Sequence, residues 1–305
     1  MAAERTAVLL MAYGGPDSLA DVEPYLLDVR GGRATPKEIV EEVRARYARI
    51  GGKSPLRRLT EAQAARLASE LGPAYRVYVG MRHWHPYIRD TVERIVADGS
   101  KRVVAIVMAP HYSALSVGVY EKKLLEAAAG RVETALVRSW GMQPLLLETL
   151  SERMVQALQH FPSPRGVRVI FTAHSLPQRI AAAGDPYPEE LAQTAESLAK
   201  RRGLTGWELA YQSAGKSPEP WLGPDVGDRV RDLALQGVKG VLVVPIGFVC
   251  DHVEILFDLD VELQAIARGV GVQLERTASL NDDPALARLL ADLARTAARE
   301  RGWLA

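Results

Sequence analysis

An internal repeat constrains the fold more than any other feature of these 305 residues. Val8-Leu9-Leu10-Met11-Ala12-Tyr13-Gly14-Gly15-Pro16 aligns with Val169-Ile170-Phe171-Thr172-Ala173-His174-Ser175-Leu176-Pro177 at an offset of 161. Each reads as a buried strand, then Ala, a ring-bearing polar residue, two linkers and Pro. Asp90 to Val104 aligns with Asp228 to Leu242 at an offset of 138, and each stretch ends in a buried strand that runs into Pro110 or Pro245. Generic βα units can match once by chance. Two matches in the same order favour a duplication.

Short apolar runs alternate with amphipathic segments, the pattern of an α/β protein with mostly parallel strands. The strands read as 7–12, 76–80, 103–109, 132–136, 167–173, 208–212, 241–245 and 271–274. Helical periodicity covers 36–50, 60–71, 88–98, 142–160, 188–202, 228–236 and 284–301. The expected organisation is two similar α/β halves, 1–140 and 160–280, with a final helix at 284–305 packing across them. In open α/β sheets ligands bind beyond the carboxyl ends of the strands. Tyr13 and His174 leave equivalent strand ends, so a cleft between the halves puts them on facing lips.

Composition excludes several classes. Lys plus Arg number 38 against 37 Asp plus Glu, so there is no basic footprint for nucleic acid. One cysteine, Cys250, allows no internal disulfide and no thiolate-held zinc or iron–sulfur cluster. A reducing, cytoplasmic setting is expected. The run Ala7–Ala12 is too short for a signal-peptide core or a membrane span, and no other stretch approaches 18 apolar residues.

Several motifs carry chemistry. His174, just past a buried strand, can act as a base or a metal ligand near neutral pH. Glu254, Asp258 and Glu262 recur at i, i+4 and i+8, which on a regular helix places them on one face with a drift of about 40° per step. No basic residue lies at the intervening turns, and the flanking Ile255, Leu256, Phe257, Leu259, Val261 and Leu263 are apolar. A carboxylate track lining a wet channel suits a divalent cation or protons. Ala210 to Ser217 resembles a phosphate loop, but Pro218 and Pro220 block the helix that such a loop must open. Arg44, Arg46, Arg49, Arg57 and Arg58 cluster around Tyr47 and Ser54. With Arg30 they leave room for a small polyanionic ligand.

Met11-Ala12-Tyr13-Gly14-Gly15-Pro16, Gly51-Gly52-Lys53-Ser54-Pro55-Leu56, Gly80-Met81-Arg82-His83-Trp84, Ala109-Pro110-His111-Tyr112-Ser113, Thr172-Ala173-His174-Ser175-Leu176-Pro177, Tyr211-Gln212-Ser213-Ala214-Gly215, Pro220-Trp221-Leu222 and Gly247-Phe248-Val249-Cys250-Asp251-His252-Val253-Glu254 together resemble ferrochelatase, collinearly over nearly the whole chain. The resemblance is strongest to the bacterial branch that uses coproporphyrin III. It implies the chelatase fold, two Rossmann-like halves with parallel sheets flanked by helices and a porphyrin cleft between them. It implies insertion of ferrous iron into a porphyrin in haem biosynthesis, a lyase activity.

The same resemblance implies roles for individual residues. His174 and Glu254 hold iron and manage protons, with Asp258 and Glu262 as a relay behind them. Tyr13 is axial to the product iron from the opposite face, and Arg30, Arg46, Tyr47, Ser54 and Tyr120 contact the porphyrin. Serine is common where this chain has Cys250. No cofactor is required, Fe²⁺ is a substrate, and no iron–sulfur cluster is expected. The implied partners are porphyrin, Fe²⁺ and, transiently, neighbouring enzymes of the haem pathway. Protoporphyrin IX is the alternative substrate. A non-catalytic haem carrier is the alternative of another class, and it would have no use for the acidic track.

Overall fold

Seven successive residues, Thr6–Ala12, are buried and form the central strand β1. A strand buried on both faces needs no polar alternation, which is why its apolar run is continuous. The computed structural model describes residues 5–303, so residues 1–4 and 304–305 of the expected halves and final helix lie outside the described residues.

β1 pairs in parallel with β2 (Tyr75–Met81) and β3 (Arg102–Val107), and β3 pairs with β4 (Glu133–Val137). The second sheet has β5 (Arg168–His174) between β6 (Trp207–Gln212) and β7 (Gly240–Pro245), with β8 (Gln273–Arg276) at the edge. The strand orders are β2-β1-β3-β4 and β6-β5-β7-β8. They correspond strand for strand, as expected of a duplication, with β1 and β5 carrying the matched sequences.

The period of two along β1 sorts its side chains between two cores. Ala7, Leu9 and Met11 pack with Ile88, Val92, Val117 and Leu124 of the helices Ile88–Ala97 and Val117–Ala128. Val8 and Leu10 face Leu59, Leu67, Leu289 and Leu290 of the helices Leu56–Leu71 and Pro284–Glu300. That second core also contains Val169, Phe171, Leu242 and Val244, so one apolar cluster spans both sheets.

The two sheets exchange a helix. Pro144–Leu158, from the link between the halves, packs on the helix Tyr187–Arg202 and on β7 and β8. The final helix returns to the N-terminal sheet, against Leu56–Leu71, β3 and β4, and touches the second half through Pro144–Leu158. No helix among the described residues is long and apolar enough to cross a membrane.

The acidic segment departs from expectation. A short helix, Val253–Leu256, gives way to a π-helix, Asp258–Leu263, followed by Gln264–Gly269. The amide of Glu262 bonds to the carbonyl of Phe257 at 2.9 Å, an i→i+5 closure. Glu254, Asp258 and Glu262 therefore do not share one regular helix face. The extra residue in the turn re-aims the side chains, as is frequent where such bulges occur at functional sites.

Candidate active site

Each sheet delivers one polar ring to a common cavity. Tyr13 follows β1, and its carbonyl accepts from the amide of His83 at 2.9 Å, while the carbonyl of Ala12 accepts from the amide of Arg82 at 2.8 Å. His174 closes β5, where its register partner is Gln212. Tyr13, Tyr47, Ser54, Tyr120, His174 and Glu254 line the same cavity, whose water-accessible space is about 280 Å³. Apolar wall comes from Met11, Leu56, Val107, Leu176 and Val249.

His174 and Glu254 form a hydrogen-bonded pair inside this cavity. Nδ1 of His174 lies 3.1 Å from Oε2 of Glu254. Nδ1–H donates to the carboxylate, which leaves Nε2 as the nitrogen available to a ligand or a proton. Burial pulls the imidazole pKa down, but the Glu254 charge and hydrogen bond, with Asp258 behind, carry it above its ordinary value. Burial works against the Glu254 carboxylate as well. His174 and His252, by charge and hydrogen bond, nevertheless hold it well below the usual carboxylate range.

The backbone under this pair is tied down. Gln212 Nε2 donates to the Glu254 carbonyl at 2.7 Å, and the Tyr187 hydroxyl donates to the His174 carbonyl at 3.0 Å. His252 donates through Nδ1 to the Cys250 carbonyl at 3.0 Å, turning Nε2 toward Glu254 at 3.6 Å. Burial, with the Asp251 charge adding, pushes the Cys250 thiol up to about 12. The free thiol therefore stays protonated at neutral pH.

The acidic residues behind Glu254 have partners that their own helix does not supply. Asp258 accepts from the Ser213 hydroxyl and lies 3.5 Å from Nη1 of Arg46. Ser213 holds a left-handed backbone, φ 59°, uncommon for a residue with a side chain and frequent where function fixes geometry. The stretch that fails as a phosphate loop thus supplies the hydroxyl for the acidic track. Arg46 also reaches Glu42 at 3.1 Å and Glu262 at 3.8 Å, and its guanidinium lies over the Phe257 ring at 5.2 Å. The cation beside Asp258 and Glu262 comes from the other half of the molecule. Burial, with Glu254 and Glu262 nearby, raises Asp258 to about 6 against the pull of Ser213 and Arg46.

Two residues expected to contact the porphyrin, Arg30 and Arg46, are not among those lining this cavity. Arg46 stands at the acidic track rather than in the cavity wall. Arg30 ends the helix Val22–Val29 with an exposed side chain outside the wall. Asp258 and Glu262 also lie outside the wall, behind Glu254.

The structure adds Arg82, Tyr25, Tyr187 and His252 to the cavity, none singled out for a role from sequence. Arg82 carried a readable signal, because it directly follows a buried strand next to Tyr13. Its guanidinium lies 5.6 Å from the Tyr13 ring centroid and 5.3 Å from that of Tyr120. Burial raises the Tyr13 phenol to about 12, with Arg82 pulling the other way.

Comparison with known proteins agrees with this geometry. The ferrochelatase family model matches residues 5–298. A ferrochelatase of Herpetosiphon aurantiacus is 47% identical over 295 residues, covering 94% of this chain and 97% of the relative. One from Deinococcus radiodurans is 44% identical, covering 96% of each. A coproporphyrin III ferrochelatase of Geobacillus thermodenitrificans is 40% identical, covering 93% of each. SirB from Bacillus subtilis, solved with Fe³⁺, superposes with a TM-score of 0.64 over 98% of each chain at 13% identity, a likeness of fold. The chain belongs to the ferrochelatase family of metal chelatases.

Proposed function

We propose that this enzyme inserts Fe²⁺ into coproporphyrin III, in the cytoplasm, as a lyase of haem biosynthesis. The observation that carries the reading is the His174–Glu254 pair in the same cavity as Tyr13, with apolar wall between them. Insertion exchanges two pyrrole N–H protons for one Fe²⁺, so the site needs a base and a ligand set that holds iron without trapping it. An imidazole and a carboxylate form a suitable borderline pair for Fe²⁺. The apolar wall holds the ring, and part of the binding energy bends it so that nitrogen lone pairs face the metal. Strain of about 1–5 kcal/mol is usual for bound substrates.

His174 takes the first proton or the metal through Nε2, while Glu254 compensates the charge. Asp258, whose pKa burial raises to about 6, and Glu262 pass protons toward solvent. Fe²⁺ is substrate in this scheme, and no cofactor takes part. A haem carrier would gain nothing from Asp258 and Glu262.

The substrate assignment is supported by Tyr13, whose oxygen suits an oxidised iron product, and by the Geobacillus relative named for coproporphyrin III. Ser54, Tyr47, Tyr120 and Arg82 give the wall polar groups for four propionates. Protoporphyrin IX, with two, would leave part of that lining unpaired at about 1–3 kcal/mol per buried group. Anaerobic assays of purified enzyme with Fe²⁺ and each porphyrin, followed by absorbance, test this. A higher kcat/KM for coproporphyrin III is expected, and an equal or higher value for protoporphyrin IX overturns the substrate assignment.

A further inference from the structure

The wall of the main cavity is shared with a second one. Arg82 also lines a separate cavity of about 420 Å³, between the helices Ile88–Ala97 and Val117–Ala128. Its lining is charged, with four basic against three acidic side chains, a surplus of one positive charge.

The acids are already committed. Asp28 pairs with Nδ1 of His83 at 2.8 Å. Glu93 takes both arms of Arg131, at 2.8 and 2.7 Å. Glu126 lies 3.8 Å from Lys122 on its own helix, and Arg89 pairs with Asp90 at 3.3 Å. Arg82 and Lys123 remain, with no carboxylate partner among the described residues. Nε of Arg82 is buried without a hydrogen-bond partner, and its guanidinium lies near the Tyr13 and Tyr120 rings. The positive field of both cations reaches His83. Burial lowers that imidazole's pKa, and Arg82 and Lys123 add to the effect against Asp28.

A buried charged donor without an acceptor is costly, and a bound acceptor recovers that cost. A guanidinium fork beside an ammonium matches a carboxylate. The surplus of one charge favours a monoanionic group over a dianionic phosphate. We propose that this second cavity is a carboxylate site in which Arg82 and Lys123 together hold one carboxylate group. Because Arg82 borders both cavities, the nearest source is a carboxylate substituent of the bound macrocycle, and this part rests on the porphyrin reading above. A small free carboxylate is the other source of the same chemistry.

Three measurements on the full-length chain separate these. Coproporphyrin III affinity is measured by fluorescence quenching for wild type, Arg82→Met and Lys123→Met. Thermal stability is measured for the same proteins with and without succinate. Wild-type iron insertion into coproporphyrin III is run in parallel. Lys123→Met, half-buried on a helix, keeps the test sound if Arg82→Met folds poorly. The expected result is a loss of coproporphyrin affinity on the order of tenfold in each variant, the scale of one charge-assisted pair. Unchanged porphyrin affinity, with succinate raising the Tm of wild type and of neither variant, assigns the site to a free carboxylate. Unchanged porphyrin affinity with no succinate effect overturns the site and leaves the activity untouched if wild type still inserts iron. A wild type that neither binds nor metallates the porphyrin overturns the activity instead, and the succinate arm still decides the site.

Discussion

Arg46, on a helix of the N-terminal half, lies 3.5 Å from the carboxylate of Asp258 in the C-terminal half. This contact joins the halves at the acidic track, where Arg46 also lies 3.8 Å from Glu262, and counters the repulsion between Asp258 and Glu262. Arg46→Met removes a charge that lowers the Asp258 pKa, so that pKa should rise from its value of about 6. If Asp258 must be ionised to pass protons, the acidic limb of the pH–kcat profile moves to higher pH in the variant. An unmoved limb removes Asp258 from the proton path. The loss in global stability should be small, about 0–1 kcal/mol, because the pair is partly solvated.

Glu254→Gln should cost far more turnover than Asp258→Asn or Glu262→Gln. Glu254 is in the cavity and bonded to His174, whereas the other two lie behind it. A fall on the order of 10²–10⁴-fold is expected for Glu254→Gln, the usual range for losing a positioned acid–base group. Falls of about tenfold are expected for the other two, as for groups acting through a first ligand. Equal losses in steady-state kcat for all three would show that the acids act as one unit.

The ion pair sets a pH dependence for stability and for metal uptake. The His174 pKa is raised, so its contribution is complete below the ordinary value of 6.5 and is lost as pH rises through the folded-state value. The Glu254 pKa is depressed, so its contribution is present above the ordinary 4.5 and is lost as pH falls toward its folded-state value. The Tm difference between wild type and His174→Ala should therefore be largest between these two ordinary values. Metal competes with the proton on His174, so Fe²⁺ affinity measured by anaerobic calorimetry should rise with pH from about 6 to about 8. A flat affinity profile would mean that metal binding displaces no proton from His174.

Gly247 sits where the loop carrying Glu254 crosses the end of β5. A Cβ there would lie 2.8 Å from the Cβ and 3.0 Å from the Cα of Ala173, next to His174. Gly247→Ala must push the loop away from the strand. A loss of about 1–3 kcal/mol in denaturant unfolding is expected, with a fall in kcat because the His174–Glu254 separation changes. Wild-type stability and kcat in the variant would show that the loop is free to shift.

The interior strands β1, β3, β5 and β7 were legible in the sequence because each is buried along nearly its whole length and reads as an almost unbroken apolar run. β1 and β5 also carried the repeat, which put Tyr13 and His174 on facing lips of one cleft, and both line the same cavity. Less was legible where geometry is non-local. The helix Val117–Ala128 opens with Val117-Gly118-Val119, two β-branched residues around a glycine, so its propensity masks it. The i→i+5 turn of Asp258–Leu263 leaves no mark in residue spacing, so an ordinary helix was expected there. Arg46 lies 212 residues from Asp258, and no spacing rule connects them. Arg82 could have been found by the rule that found Tyr13, a polar residue directly after a buried strand.

Tyr13→Phe should leave iron insertion largely intact while weakening retention of the ferric product and shifting its absorption spectrum. The phenol lies in the cavity away from the His174–Glu254 bond and, raised to about 12, is neutral at pH 7 until metal displaces its proton. An unchanged product spectrum in the variant would remove Tyr13 as a ligand.

His174→Ala gives the most direct test of the site, read in two channels on one sample. Porphyrin binding is followed by fluorescence quenching, and iron insertion by the absorbance of the product under anaerobic Fe²⁺. The ring is held by apolar wall and polar rim, so binding should persist within a few-fold of wild type, while insertion falls to background. Near-normal insertion by His174→Ala would contradict the assignment of His174 and Glu254 as the groups that exchange two protons for iron.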